Sequence, residues 1–312
     1  MSMLSSRREF LKHSAAAGAL TLGGVALAET PAVAVSDAPL DMAIARWKGA
    51  EVPAGDIAVK LTEQAMEALG GMKRFVSKGD VVWLKPNIGW DRTPEQAGNT
   101  NPDVVKTLVR MCLDAGAKTV KVGDNPCNPA EKTYVTSKIA EYARTAGAEI
   151  VFLDPNRYRD MDIGGERLKM HPVYPEIVEC DLVISVPITK HHSATKMTNC
   201  MKNYMGIVEK RQLFHQDLPT CIADITAFMK PRLAVMDAVR ILTANGPTGG
   251  DLNDVRQPNI LAAGIDLVAL DAFGAEVLGH DPKTMETVMA GEKRGLGVSD
   301  YHSLKLKELD VA

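Results

Sequence analysis

Two stretches decide the fold: residues 114–124, DAGAKTVKVGD, and residues 144–154, RTAGAEIVFLD. In each, a helical pattern ends at a glycine, a short apolar run follows, and the run ends at an aspartate. This order predicts successive turns of one βαβ winding rather than an array of repeats. We therefore expect parallel strands that alternate with helices.

Further strands are predicted on both sides of these stretches. They are VVWL at 81–84, DLVISV at 181–186, LAVMD at 233–237 and NILAA at 259–263. Continuous apolar runs of this kind are typical of strands whose two faces are both covered. The sequence therefore predicts an α/β fold with a mostly parallel, doubly wound sheet and helices on both faces. The side chains expected to be buried in central strands are those of Leu84, Val122, Phe152, Ile184 and Val235.

Three local predictions follow from the pattern between and after the strands. The apolar spacing over residues 197–208 predicts a helix, and Gly164-Gly165 predicts a small hairpin. The C-terminal tail is also expected to be helical.

The N-terminus carries an export pattern. SRREFLK at 6–12 matches the twin-arginine motif, a weakly apolar stretch follows, and Ala26-Leu27-Ala28 offers a cleavage site, with Ala32-Val33-Ala34 as a second option. We expect residues 1–28 to be a signal peptide, 29–45 a linker and 46–312 a single large α/β domain. The expected partner is the twin-arginine translocase. The mature protein would be periplasmic or otherwise exported, without a stable membrane span after cleavage.

Composition excludes several classes of protein. With 312 residues, of which 46% are hydrophobic and 24% charged, the chain can bury a full core. The net charge of −3 argues against a nucleic-acid partner. Five widely spaced cysteines form no iron–sulfur or zinc-ribbon motif, and Cys127, in a loop of Asn and Pro, is the one expected to be exposed. The sequence does not identify a cofactor, and a divalent metal is compatible with it.

Polar residues after the strands are the candidates for function, because ligands of such sheets bind at the carboxyl ends of the strands. The stretch 182–208 has no acidic residue and several basic ones, which suits a carboxylate or phosphate ligand or, alternatively, a solvated basic face. The candidate catalytic residues are His191, Lys190 and Lys202; the candidate binding residues are Lys85, Asn87, Thr100, Asn203, Asn245 and Thr248; the candidate metal ligands are Asp124, Asp237 and His192.

An ordered series of motifs resembles a known family. The motifs are VVWLKPN at 81–87, NTNPDVVKTLVRMCLDAGAKTVKVGD at 99–124, ECDLVISVPITKHH at 179–192, MKNYMGIV at 201–208, LAVMDAV at 233–239, ANGPTGG at 244–250 and AAGIDLVALDAFGAEVLG at 262–279. From about residue 80 to residue 280, the chain is similar to the family catalogued as domain of unknown function 362.

This resemblance implies an α/β fold and a link to iron–sulfur proteins, although the ferredoxin-like cysteine motifs of some members are absent here. The family's Lys-Asn-x-x-Gly pattern is matched at Lys202, Asn203 and Gly206, and its Lys-x-His pattern at Lys190 and the histidines after it. The family's Thr-His-Pro pattern is replaced by Thr100-Asn101-Pro102. At fold level the family is similar to the nickel-dependent lactate racemase group, which implies small carboxylate substrates.

The leading hypothesis is an exported enzyme that acts on a small carboxylate or phosphate compound. In it, Lys85, Lys190 and Lys202 hold the anion, Asn87, Asn203 and Asn245 orient it, His191 transfers the proton, and Asp124 or Asp237 holds a metal or polarises the histidine. The alternatives are a periplasmic accessory or binding protein for a metal centre or redox partner, and a structural partner in a larger complex. The sequence leaves open whether the protein is an enzyme.

Overall fold

The strands lie within residues 39–312, which the computed structural model describes. They are β1 Met42–Trp47, β2 Val81–Pro86, β3 Thr119–Val122, β4 Glu149–Ile150, β5 Arg159–Asp162, β6 Met170–Val173, β7 Leu182–Val186, β8 Ile188–His192, β9 Lys196–Thr198, β10 Ala234–Leu242, β11 Val255–Arg256, β12 Ile260–Gly264 and β13 Leu306–Val311. The helices are α1 Ala54–Ala68, α2 Pro102–Asp114, α3 Ala130–Thr136, α4 Ile139–Thr145, α5 Pro175–Glu179, α6 Leu218–Met229, α7 Leu267–Val277 and α8 Glu286–Lys293. The predicted signal peptide, and the linker as far as residue 38, fall outside the described residues.

One large sheet organises these elements, with the strand order β13-β1-β12-β10-β7-β2-β3-β4. Strand β2 runs parallel to β3 and β7, and β10 runs parallel to β7. Strand β12 runs antiparallel to both of its neighbours, β1 and β10. The mostly parallel α/β sheet predicted from the sequence is confirmed.

Helices cover both faces of the sheet, and a large apolar core lies on each face. Trp83 belongs to one core, whereas Val82 and Leu84 belong to the other, as the alternation of side chains along a strand requires. Helices α1 and α2 contribute to the core that holds Leu84, and α6 and α7 to the core that holds Trp83. Helix α2 begins as the sequence indicates, because Asn101 accepts a hydrogen bond from the Asp103 amide and Pro102 occupies the first turn.

Most of the predicted core residues are buried. Leu84, Val122, Ile184 and Val235 are fully enclosed. Phe152 differs, since 45% of it is exposed. Strand β4 ends at Ile150, and Phe152 follows it at the edge of the sheet, stacked on Tyr134.

Local structure departs from the prediction over residues 197–208. Instead of a helix, the chain forms the short strand β9, a turn, and a 3₁₀ helix from Lys202 to Ile207. The carboxylate of Asp271, on α7, accepts hydrogen bonds from the amides of Cys200 and Met201 and thereby holds the turn. A distant residue therefore overrides the local helical pattern.

The ends of the domain also differ from expectation. Strand β1 lies partly within the residues assigned to the linker, and the tail ends in strand β13, which pairs with β1 along its full length. The hairpin predicted around Gly164-Gly165 is present as β5 and β6. Among residues 39–312, no helix is both long and apolar enough to cross a membrane.

Candidate functional site

A cavity of about 350 Å³ opens at the carboxyl ends of the parallel strands. The ends of β2 and β3 contribute Asn87 and Asp124, and β8 contributes Lys190. The 3₁₀ helix after β9 contributes Lys202 and Asn203. The topology thus brings residues that are distant in sequence to one edge of the sheet.

Lys190 is enclosed in the wall of this cavity, with 1% of it exposed. Its Nζ atom donates hydrogen bonds to Oδ1 of Asn87 at 3.0 Å and to the carbonyl of Gly98 at 2.6 Å. Burial, together with the nearby charge of Lys202, lowers the pKa of Lys190 to about 7. No carboxylate pairs with this ammonium group among the described residues.

Lys202 is half-buried and lines the same cavity. Within residues 39–312 its Nζ atom has no hydrogen-bond or ion-pair partner. Burial lowers the pKa of Lys202 to about 8, and the positive charge of Arg211 contributes to the shift.

Arg211 is a third cation of the cavity wall. Its guanidinium donates to the carbonyls of Asn125 and Pro126 and lies 3.5 Å from the Sγ atom of Cys127. These partners hold the guanidinium in place without neutralising its charge.

The carboxylate that lines the cavity, that of Asp124, is paired with Lys85. The Nζ atom of Lys85 lies 2.6 Å from Oδ1 of Asp124, and both side chains are almost fully buried. Burial raises the pKa of Asp124, and the ammonium of Lys85 opposes that rise. Whether the shared proton lies on Lys85 or on Asp124, the pair carries no net charge. The cationic groups therefore make the charge of the cavity positive.

Lys85 therefore lies behind the cavity wall rather than in it. Its Nζ atom also donates to Oδ1 of Asn203 and to the carbonyl of Pro86. The amide group of Asn203 in turn donates to Ser185 Oγ and to the carbonyl of Lys85. This network ties the 3₁₀ helix to the ends of β2 and β7.

The two adjacent histidines point in different directions, as expected for neighbours in a strand. His192 lines the cavity on the same side of β8 as Lys190. His191 accepts a hydrogen bond from the Gly246 amide at Nδ1 and is not among the residues lining the cavity. The structure thus places His192, rather than His191, beside the lysines.

The protonation of His192 follows from its surroundings. Burial, followed by the charges of Lys202 and Lys190, lowers the pKa of His192 to about 3, so the imidazole is neutral. Its Nδ1 atom accepts from the amide of Ala194 at 3.1 Å. The ring proton therefore lies on Nε2.

Family membership follows from the match of the sequence to a family described as "Domain of unknown function (DUF362)", over residues 82–276. This chain belongs to the DUF362 family. The family predicted from the ordered motifs is confirmed, and the matched range agrees with the predicted one.

Other proteins similar to this DUF362 chain share part of its length. "Thylakoid-associated protein sll1697" of Synechocystis sp. is 29% identical over 241 residues, which cover 74% of this chain and 73% of that protein. A crystal structure of a Thermotoga maritima protein matches with a TM-score of 0.43 and 14% identity, over 74% of this chain and 60% of that one.

The lactate racemase apoprotein of Thermoanaerobacterium thermosaccharolyticum matches with a TM-score of 0.45 and 12% identity, over 77% of this chain and 62% of that one. The DUF362 chain therefore spans about 60% of the length of these two solved structures.

Several predicted site residues of this DUF362 protein lie outside the cavity lining. Thr100 Oγ1 donates to the Val186 carbonyl and accepts from the Asn87 amide, which joins two strand ends. Asn245 Nδ2 donates to Asp254, and Thr248 presents its carbonyl to Arg92. These residues shape the surrounding loops.

The predicted metal ligands are not gathered into a cluster. Asp237 is buried within β10, where its carboxylate accepts from the amides of Asn101 and Val239, and burial raises its pKa to about 6. Asp124 and His192 both line the cavity, but the carboxylate of Asp124 is already paired with Lys85. Within residues 39–312, no group of three or more His, Cys, Asp and Glu side chains could hold a metal ion.

Sequence reasoning missed two contributors to the site. Arg211 begins a 3₁₀ helix, Arg211–Gln216, outside every motif, so no local signal marks it. Asp271 was missed because it lies within an otherwise apolar helix. A carboxylate in such a helix is itself a signal, since buried aspartates are rare unless they have partners. The exposed Cys127 was anticipated, and it lies at the cavity beside Arg211.

Proposed function

We propose that this DUF362 protein is an enzyme that acts on a small carboxylate or phosphate compound bound in the cavity described above. The observation that carries the proposal is the ammonium group of Lys202. It lines the cavity without a hydrogen-bond or ion-pair partner within the described residues, beside Lys190 and Arg211. An anion would supply the opposite charge that these three cations lack.

Catalysis, rather than binding alone, is supported by the protonation states of the cavity. With pKa values lowered to about 8 and about 7, Lys202 and Lys190 present a fraction of free amine near neutral pH. A desolvated lysine in this range can act as a general base or as a nucleophile. His192, neutral and protonated at Nε2, would donate a hydrogen bond to an oxygen on which negative charge develops.

Lys202→Met is expected to weaken the binding of a small anion by about 10- to 150-fold, since a hydrogen bond to a charged group contributes about 1.5–3 kcal/mol. The measurement is isothermal titration calorimetry with sulfate, which represents the phosphate class, and with acetate, which represents the carboxylate class. Lys132→Met is the matched control, because Lys132 is exposed and does not line the cavity.

The pH dependence of the same titration tests the charges directly. Lys190 and Lys202 attract an anion only when protonated, so the wild-type affinity for sulfate should fall as the pH rises from 6 to 9, through the lowered pKa values. The residual affinity at pH 9 would come from the guanidinium group of Arg211, which also lines the cavity. Equal affinity of the wild type and Lys202→Met for both anions would refute the anion site.

We further propose that the protein is exported by the twin-arginine route, which the motif at residues 6–12 supports. Replacing Arg7 and Arg8 with Lys should leave the precursor in the cytoplasm, although the charge is preserved. Cell fractionation and N-terminal sequencing are the measurements, and the mature chain should begin near Glu29 or Val35. Lys12→Arg, which leaves the pair intact, should be exported normally. Export of the Arg7→Lys, Arg8→Lys variant at the wild-type level would contradict the proposal.

A further inference from the structure

The two lysines of the cavity are held differently. The Nζ atom of Lys190 is held in place by the hydrogen bonds that it donates to Asn87 and to the carbonyl of Gly98. Lys202 Nζ has no such partner in the part of the chain that the structure describes, and its residue is more accessible. The geometry therefore separates a nitrogen that is held in place, that of Lys190, from one that is available to react, that of Lys202.

Cationic groups surround this available amine. The charge of Lys202 lowers the pKa of Lys190, and the charge of Arg211 lowers the pKa of Lys202, so the three groups are close enough to interact. All three side chains line one small cavity, so a compound whose carboxylate is held by Lys190 and Arg211 would share that cavity with the amine of Lys202. The volume of about 350 Å³ suits a small molecule.

We infer that Lys202 forms an imine with the carbonyl carbon of a small 2-oxo carboxylate bound in this cavity. The inference rests on the proposed function, and it names a substrate class and a nucleophile for the same site.

The chemistry balances without an oxidant or a reductant. The neutral amine of Lys202 adds to the carbonyl carbon, a C–N bond forms, and the carbonyl oxygen becomes the hydroxyl of a carbinolamine. Loss of that hydroxyl and of the remaining nitrogen proton as water gives the imine. The net change is one amine and one carbonyl converted to one imine and one water.

Two features of the site support these steps. Lysines become nucleophilic when desolvated or when placed next to another cation, and Lys202 meets both conditions. The Nε2–H group of His192 would stabilise the oxygen that gains charge when the amine adds.

The test is reductive trapping of the full-length protein with pyruvate and cyanoborohydride, followed by peptide mapping by mass spectrometry. We expect Lys202 to be labelled at least about tenfold faster than the exposed Lys132, because a lowered pKa leaves more free amine. Sulfate should protect Lys202 but not Lys132, and methyl pyruvate, which lacks the carboxylate, should label Lys202 more slowly than pyruvate does.

Lys202→Arg cannot form an imine, so it should lose the label at this position. If Lys202 in the wild type is labelled no faster than Lys132 while sulfate binds, the imine is refuted and the anion site stands. If sulfate and acetate do not bind and Lys202 is not labelled, both proposals fail. The labelling rates of Lys202 and Lys132 are compared within the wild-type protein, so they test the imine even if Lys202→Arg does not fold.

Discussion

Lys85→Met is expected to destabilise the fold by about 3–5 kcal/mol, because it removes one partner of a buried ion pair and leaves the other without compensation. The remaining Asp124 is 2% exposed, and its carboxylate would lose the ammonium group that lay 2.6 Å away. The measurement is the free energy of unfolding from urea denaturation.

The adjacent strand provides a matched control. Lys121 forms an ion pair with Glu176, but both side chains are partly exposed, so Lys121→Met should cost about 1 kcal/mol or less. Adding Asp124→Asn to Lys85→Met should recover part of the loss, because the neutral amide no longer leaves a charge buried. Equal effects of Lys85→Met and Lys121→Met would contradict the role assigned to the buried pair.

Gly206→Ala is expected to be as damaging, at about 3–5 kcal/mol, because the added methyl group has no space. A Cβ atom on Gly206 would overlap Oδ1 of Asp124 and would lie 2.6 Å from Nζ of Lys85. The substitution would therefore break the ion pair and also displace the 3₁₀ helix that carries Lys202 and Asn203. Urea denaturation measures the first effect, and sulfate titration measures the second.

Gly89→Ala is the control for this substitution. Gly89 also lines the cavity, but the atom nearest to its added Cβ, Oδ1 of Asn87, would lie at an ordinary 3.5 Å. We expect the free energy of unfolding to change by less than about 1 kcal/mol. A Gly206→Ala variant as stable as Gly89→Ala would show that the close contact with the ion pair does not constrain this position.

The alternation of side chains along β8 explains why the sequence analysis gave proton transfer to His191, whereas the structure places His192 at the cavity. Residues 188–192 follow Pro187, and the sequence did not mark them as a strand. Once they form one, Lys190 and His192 share a side and His191 takes the other. A strand prediction for these residues would have placed His192, rather than His191, on the same side as Lys190.

Lys85 shows a second limit of sequence reasoning. Its place at the end of β2 correctly predicted a position beside the site, but not the direction of its side chain. That direction depends on Asp124, Asn203 and the closely packed Gly206, which two other segments supply, the end of β3 and the 3₁₀ helix from Lys202 to Ile207. A charged residue at a strand end can face a ligand or a buried partner, and local sequence does not distinguish the two.

By itself, the sequence determined the α/β class, the family and the edge of the sheet at which polar residues collect. These properties depend on patterns that are local or repeated: apolar runs, glycine stops and the order of motifs. Only the tertiary structure decided that Lys85 pairs with Asp124, that Arg211 joins the cavity, and that Asp271 turns residues 200–201 away from a helix. Each of these contacts joins segments far apart in the chain, and burial makes such contacts strong enough to override local preference.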